Sequence, residues 1–198
     1  MTAGPLLLLL GASLAPSGRT PGAAPAQGTA AIRLEDLEGR PVAALPGPEG
    51  ATTVFVFVST ECPITNRYAP ELRRIHERFA RSARFWLVYA DPAETPEAVR
   101  GHVQAFGFGF AALRDPRHEL VRAAGATVTP EAAVFVPGAQ GPRLVYRGRI
   151  DDRNVDFGRT RPAPATHDLE DALRAIAAGT AGPLRTTPAV GCAIPPLP

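Results

Sequence analysis

The chain has 198 residues, of which 45% are hydrophobic and 20% are charged. This length and composition are typical of one globular domain with a hydrophobic core and exclude a largely disordered chain. The net charge of +2 lacks the basic excess that nucleic-acid binding requires, so we expect no nucleic-acid partner.

The first 26 residues have the pattern of a cleavable signal peptide. Leu6–Leu10 begin a short apolar run, and Ala24-Pro25-Ala26 fits the small-residue pattern of a cleavage site. The run is too short to span a bilayer, so no stable membrane span is expected in the mature protein. Because no Lys or Arg precedes the apolar run, a disordered Ala/Pro-rich leader is the alternative. Export predicts a periplasmic or extracellular location, where disulfides persist.

The predicted domain covers residues 27–182, and its first half alternates strand and helix patterns. Gly39 separates two short extended pieces, which predicts a β-hairpin. Thr52–Val58 is β-branched and aromatic, as buried strands are. A helix is predicted from Pro63, because an apolar stripe recurs at helical spacing at Tyr68, Leu72, Ile75 and Phe79.

Two further helices follow a second buried strand at Arg84–Asp91. The first helix has Thr95 as its N-cap and Pro96 at its first helical position. Its predicted inner face consists of Val99, Val103 and Phe106. The second helix is shorter and is predicted to end at Gly125.

The last part of the domain is predicted as a hairpin and a helix. Residues 132–150 read as two strands joined by a Pro/Gly loop. Thr166 is the predicted cap of the last helix, which Gly179 ends. Residues 183–198 form an irregular, flexible Pro-rich tail that carries Cys192. The order β-α-β-α-α-β-β-α predicts an α/β fold with a central mixed sheet and helices on both faces.

Cys62 lies at the joint between the first long strand and the first helix. Free N–H groups at a helix start and the helix dipole favour a thiolate there. The dipole supplies about 0.3–1 kcal/mol, which is less than one pKa unit at about 1.4 kcal/mol. Strong activation therefore predicts a nearby cation, for which Arg67, Arg147 and Arg149 are candidates. Ser59 or Thr65 is expected to donate a hydrogen bond to the thiolate.

Four segments resemble the redoxin branch of the thioredoxin-like superfamily, which includes the alkyl-hydroperoxide-reductase/thiol-specific-antioxidant group. They are "STECPITNRYAPEL", "LEDLEGRPVAAL", "VTPEAAVFV" and "LVYRGRIDDR". The resemblance implies a three-layer fold with an N-terminal β-hairpin extension. It also implies that Cys62 is the nucleophile, that Pro130 is in cis beside it, and that the backbone of Thr129 faces an extended substrate. No cofactor is implied, since sulfur performs the chemistry, and the partners would be a thiol or disulfide protein or a small thiol.

Two departures from the family patterns bear on the reaction. Thioredoxins carry two cysteines in a C-x-x-C motif, whereas this chain has Cys62-Pro63-Ile64-Thr65. Peroxiredoxins carry a proline and a hydroxyl residue ahead of their cysteine; here Ser59 matches the hydroxyl position, but Phe55 replaces the proline. Thiol–disulfide exchange is therefore better supported than reduction of a peroxide substrate.

Cys192 leaves two interpretations open. It resolves a mixed disulfide or a sulfenic acid formed on Cys62, or the two cysteines form one structural disulfide in a non-catalytic module. Closing so long a loop would stabilise the fold by about 4–5 kcal/mol on a chain-entropy model. No metal is expected, because the four histidines lack ligand spacing and read as surface residues: His76, His102, His118 and His167.

Overall fold

The computed structural model describes Met1 and residues 32–45 and 51–197. The predicted signal peptide therefore lies, apart from Met1, outside the described residues. Within the described ranges, none of the helices combines the length and apolarity needed to cross a membrane.

Four helices and twelve strands follow one another along these residues. The helices are α1 (Pro63–Phe79), α2 (Pro96–Ala105), α3 (Glu119–Ala124) and α4 (Asp168–Ala177). The strands are β1 (Leu34–Glu35), β2 (Pro41–Val42), β3 (Thr52–Val58), β4 (Ala83–Tyr89), β5 (Ala112–Arg114), β6 (Val128–Thr129), β7 (Glu131–Val136), β8 (Arg143–Gly148), β9 (Asn154–Asp156), β10 (Arg159–Thr160), β11 (Arg185–Thr186) and β12 (Cys192–Ala193).

Eight strands form one mixed sheet in the order β11-β8-β7-β3-β4-β5-β1-β2. The β3, β4 and β5 strands are parallel, and β7 runs antiparallel to both β3 and β8. The predicted N-terminal hairpin is present as β1 and β2, which extend the sheet at one edge. Two small pairs lie outside this sheet, β9 with β10 and β12 with β6.

The central strand β3 is buried on both faces, as its unbroken apolar sequence predicts. Val54, Val56 and Val58 share one core cluster with side chains of α1, α2 and α4. Phe55 and Phe57 share the opposite cluster with side chains of α3 and β1. The predicted arrangement of helices on both faces of a mixed sheet is confirmed.

The predicted helices form where the sequence signals lie. The apolar stripe of α1 is buried throughout, with Tyr68, Leu72, Ile75 and Phe79 in the core. Thr95 caps α2, because its hydroxyl accepts a hydrogen bond of 3.2 Å from the Ala98 N–H. Gly125 ends α3 in the left-handed conformation with φ +69°.

Three details differ from the sequence predictions. The N-cap of α4 is His167 rather than Thr166, whose hydroxyl instead donates to Asp168 Oδ2 at 2.7 Å. His102 and His118 are buried rather than exposed, and each ring bonds a neighbouring group that compensates for lost water. The tail at residues 183–197 contains β11 and β12, short strands that pair with β8 and β6.

Candidate thiol site

Cys62 is the N-cap residue of α1 and follows β3 through the turn Ser59–Glu61. Its backbone is extended, with φ −84° and ψ 108°, and its carbonyl accepts the first helical hydrogen bond from Asn66 N at 3.1 Å. Pro63 at the first helical position needs no partner for an N–H. The side chain is 1% exposed, so the sulfur lies at the inner edge of the site.

The predicted cis bond joins Thr129 to Pro130, opposite Cys62. The Cys62 thiol donates a hydrogen bond of 3.0 Å to the carbonyl oxygen of Thr129. Cys62 and Thr129 are both buried, which shields this contact from water. The structure thus brings together the cysteine and the cis-proline segment that the sequence placed 67 positions apart.

Cys192 reaches the same point from the C-terminal tail. In the antiparallel pair β6–β12, Cys192 is the register partner of Thr129 and Ala193 is the partner of Val128. The backbone N–H of Ile194 donates to the carbonyl of Thr127 at 3.0 Å, which continues the pairing. Cys62 and Cys192 are both free thiols. The resemblance implied an extended substrate along Thr129, and the chain's own tail occupies that position.

Opposing effects set the ionisation of Cys62. Burial raises its pKa, but hydrogen bonds outweigh burial and lower the pKa from 9.0 to about 7. The donors are the Cys192 thiol, the Thr65 N–H and hydroxyl, and the Thr129 side chain. At neutral pH a large part of Cys62 is therefore thiolate, the reactive form of the thiol.

Cys192 is shifted in the opposite direction. Burial, the hydrogen bond to Cys62 and the charge of the Cys62 thiolate raise the pKa of Cys192 to about 12. Cys62 therefore loses its proton first. Cys192 stays protonated and can donate to the Cys62 thiolate. The pair has one sulfur suited to attack and one that stays protonated until a later step.

The two predicted hydroxyl partners of Cys62 differ in their surroundings. Thr65 is fully buried in the first turn of α1, where its hydroxyl has no other hydrogen-bond partner and acts to lower the pKa of Cys62. Ser59 instead shapes the turn before the helix: its hydroxyl accepts from Glu61 N and its carbonyl accepts from Cys62 N, each at 3.3 Å.

The predicted cations are engaged elsewhere. Arg147 lies 3.6 Å from the Glu131 carboxylate and donates to the Gly125 carbonyl at 2.5 Å. Arg149 forms a 2.8 Å ion pair with Asp168. Arg67 lines a different cavity, beside Arg153 and Arg161. Cys62 is activated by neutral donors rather than by one of these arginines.

Glu94 is a polar residue of the site that sequence reasoning missed. Its carboxylate accepts a 2.6 Å hydrogen bond from the Thr60 N–H, and its side chain is buried. Burial raises the pKa of Glu94 against the hydrogen bonds from Thr60 and Ser59. The sequence showed only an acidic residue before the Thr95 cap, which is common at helix starts and carried no specific signal.

A cavity of about 200 Å³ opens onto the two sulfurs. Cys62, Cys192 and Thr129 line it, and the charged groups in its wall are the acidic side chains of Glu61 and Asp91. The remaining lining residues are Val58, Ser59, Ala90, Ala193, Ile194 and Pro195. The site therefore has an access route of small-molecule size with an acidic wall.

A cysteine at the start of a helix after the central strand of a mixed sheet, opposite a cis-proline strand, defines a thioredoxin-like fold. The structural comparisons agree with a thioredoxin-like fold, and the predicted fold class, an α/β fold with a central mixed sheet and helices on both faces, is confirmed.

The chain is similar to an uncharacterized conserved protein from Geobacillus kaustophilus, with 24% identity, a TM-score of 0.68, and coverage of 84% of this chain and 89% of that one. A hypothetical protein from Sinorhizobium meliloti 1021 matches with 24% identity, a TM-score of 0.66, and coverage of 84% and 91%. A secreted Mycobacterium tuberculosis disulfide oxidoreductase homologous to E. coli DsbE matches with 18% identity, a TM-score of 0.52, and coverage of 76% and 99%. No protein-family model and no curated protein matches the chain.

Proposed function

We propose that this protein is an exported thiol–disulfide oxidoreductase in which Cys62 is the nucleophile and Cys192 resolves the intermediate. The observation that carries the proposal is that both cysteines meet at Thr129: the Cys62 thiol donates to its carbonyl at 3.0 Å, and Cys192 is its register partner in the β6–β12 pair. The pKa of Cys62 is lowered to about 7 and that of Cys192 is raised, which agrees with this division of roles. A purely structural pair of thiols needs no such division between an ionised and a protonated sulfur.

The reaction uses both sulfurs in turn. The Cys62 thiolate attacks a substrate disulfide R–S–S–R′, forms Cys62–S–S–R, and releases R′S⁻, which takes up a proton. Cys192 then loses its proton and attacks the Cys62 sulfur, so that the internal disulfide forms and RS⁻ leaves. The substrate is reduced to two thiols, the two cysteines are oxidised, and a dithiol protein or a small thiol returns the electrons.

The other site residues have supporting roles in this proposal. Thr65 and Thr129 hydrogen-bond the Cys62 thiolate and lower its pKa. Thr129, set by its cis bond to Pro130, lines the cavity through which the incoming disulfide reaches Cys62, and Ser59 holds the turn before Cys62. Sulfur performs every bond change, so the proposal includes no cofactor.

Export and the chain divisions belong to the same proposal. Residues 1–26 would be removed as a signal peptide, residues 27–182 would form the redox domain, and residues 183–198 would supply the resolving cysteine. One structural neighbour is described as secreted, which agrees with a periplasmic or extracellular location. Such a compartment suits a protein that exchanges disulfides.

Reduction of a peroxide by the same two sulfurs is less well supported. A peroxidatic thiolate benefits from a cation that stabilises the developing charge, and Arg147 and Arg149 are paired with Glu131 and Asp168. Turnover of hydrogen peroxide at a rate above that of hydroxyethyl disulfide would reverse this ranking.

The test is a comparison of the reduced wild type with Cys62→Ser and Cys192→Ser, each treated with hydroxyethyl disulfide and followed by mass spectrometry. The wild type should lose two hydrogen atoms and form the internal disulfide. Cys192→Ser should accumulate a mixed disulfide on Cys62, and Cys62→Ser should react far more slowly. An inert Cys62, with no mixed disulfide in Cys192→Ser, would favour a structural module instead.

A further inference from the structure

The segment Val190–Ile194, here called the strap, is seated on the domain. Its strand β12 uses the edge of β6, and Ile194 N extends the pairing to Thr127. Val190 and Cys192 pack against one core cluster, whereas Ile194 packs against the other. The strap therefore packs against both core clusters and covers the edge of β6 next to the cis-proline Pro130.

Gly191 shows how closely the strap fits. A Cβ atom at position 191 would overlap the carbonyl oxygen of Thr129 and lie 2.7 Å from its carbonyl carbon. Both atoms belong to the backbone, so neither can rotate away. Only glycine allows the strap to lie directly on the Thr129–Pro130 peptide.

A second attachment holds the chain just before the strap. The β11 strand pairs in parallel with β8, and Thr187 N donates to the Arg147 carbonyl at 3.0 Å. The Thr187 hydroxyl bonds the Tyr146 hydroxyl at 2.9 Å and accepts from Arg149 N at 3.2 Å. Anchoring on both sides of Pro188 and Ala189 reduces the entropy that the strap loses when it docks.

An extended polypeptide disulfide would have to use the same backbone edge. Peptides that bind by strand addition need free N–H and C=O groups on the receiving strand, but Thr129 already pairs with Cys192. Because Cys62 is 1% exposed, the approach that remains is the cavity of about 200 Å³ beside the strap.

We propose that the docked strap restricts Cys62 to small disulfides that enter this cavity, and that Gly191 is the residue on which this selectivity depends. The inference rests on the proposed function, since it specifies which disulfides the same nucleophile attacks. Electrons and atoms follow the two exchange steps above, with R and R′ as small organic groups.

The test compares two substrates on the full reduced chain. One is hydroxyethyl disulfide, and the other is a disulfide-linked dimer of a ten-residue cysteinyl peptide without secondary structure. With each disulfide the rate at which the Cys62 thiol is consumed is measured by acid quench and mass spectrometry, with mixed and internal disulfides counted together, and it is divided by the rate of the same disulfide with free cysteine. If the strap is undocked about a tenth of the time, the normalised rate with the peptide should be about tenfold below that with the small disulfide.

Two glycine variants separate the strap from general effects of substitution. Gly191→Ala forces the strap off the Thr129 peptide. The normalised rate with the small disulfide should then exceed that with the peptide disulfide by a severalfold smaller factor than in the wild type. Gly182→Ala is the matched control, since a Cβ there meets no atom within 4 Å. It should keep the wild-type ratio of the two normalised rates.

Each outcome has a separate meaning. Equal normalised rates in the wild type would overturn the selectivity proposal and leave the oxidoreductase proposal intact. A wild type that reacts with neither disulfide would contradict the proposed function itself. If Gly191→Ala does not fold, the wild-type comparison of the two substrates still decides the question.

Discussion

Cys62 and Thr129 are joined by a hydrogen bond of 3.0 Å from the thiol to the backbone carbonyl. Thr129 is also the register partner of Cys192 in the β6–β12 pair. Thr129 therefore fixes both sulfurs relative to one peptide unit, although the strand that carries it is only two residues long. This arrangement leads to four predictions.

The first prediction concerns the pH at which Cys62 reacts. Iodoacetamide alkylation should show a midpoint near pH 7, because only the thiolate is nucleophilic and the pKa of Cys62 is lowered to about 7. The rate should fall below that pH and level off above it. Cys192→Ala removes one donor to the sulfur, so its midpoint should move upward. An unchanged midpoint in Cys192→Ala would show that the two sulfurs do not share a proton.

The second prediction concerns the buried hydroxyl of Thr65. Thr65→Val should raise the pKa of Cys62, because the thiolate loses a donor while the Thr65 N–H remains. At pH 5, where Cys62 is a thiol, the variant should be as stable as wild type or more stable by about 1 kcal/mol, since an unpaired buried hydroxyl is removed.

Two variants control this experiment. Thr65→Ser keeps the hydroxyl and should keep the midpoint, whereas Thr53→Val removes another buried hydroxyl, one that bonds Ala51 O at 3.4 Å. Thr53→Val should leave the alkylation midpoint unchanged. A midpoint that moves equally in Thr53→Val and Thr65→Val would contradict a local role for Thr65.

The third prediction concerns substrate charge. Glu61 and Asp91 give the cavity wall an acidic character, so cystamine, which is cationic, should react faster than the anionic dithiodiglycolate by up to about tenfold at low salt. Added salt should reduce this ratio, because it screens exposed charges. Glu61→Gln should reduce it as well, and a ratio insensitive to both would exclude electrostatic selection at this wall.

The fourth prediction concerns the contact between α1 and α4. The buried carboxylate of Glu170 forms ion pairs with Arg74, Arg78 and Arg174. Glu170→Gln should lower the free energy of unfolding by about 1–2 kcal/mol, because the partners are roughly half exposed and the full cost of breaking a buried pair is not reached. The surface pair Glu97–Arg100 is the control, and Glu97→Gln should cost less than about 0.5 kcal/mol in denaturant unfolding.

The contribution of Glu170 to the free energy of unfolding depends on pH. Burial opposes ionisation of Glu170, but the hydrogen bond and charge of Arg74 and the charges of Arg174 and Arg78 lower its pKa below 4.5. Its contribution to stability is therefore present above the pKa of the unfolded chain and is lost as the pH falls through the lower folded pKa. The difference between wild type and Glu170→Gln should shrink in acid.

The sequence predicts those parts of the fold that have long periodic patterns. The β3 strand and the α1 helix are visible because their buried faces repeat over several turns or residues. The β12 strand has two residues in a Pro- and Gly-rich tail, and only its partner β6 gives it a strand conformation. Residue type predicts Thr166 as the cap of α4, but the backbone makes His167 the residue that flanks the start of this helix.

In the candidate site, too, the sequence predicts the features that depend on local backbone and misses those that depend on long-range contacts. The position of Cys62 at a helix start and the cis bond of Pro130 could be predicted from a strand–helix joint and a resemblance, because both are features of the local backbone. The proximity of Cys192 could only be proposed, since nothing local fixes where a tail returns to the domain. The arginines were a wrong expectation: activation by Cys192, Thr65 and Thr129 depends on long-range contacts that no spacing reveals.

The seating of Cys192 beside Cys62 before any reaction links folding to oxidation. A bond between the two sulfurs would close a long loop in the denatured chain while the native backbone is already arranged to accept it, and such a crosslink stabilises a fold by about 4–5 kcal/mol on a chain-entropy model. By thermodynamic reciprocity the native fold favours the oxidised form to the same extent. A reductant that recycles this protein must therefore overcome this coupling free energy in addition to reducing one sulfur–sulfur bond.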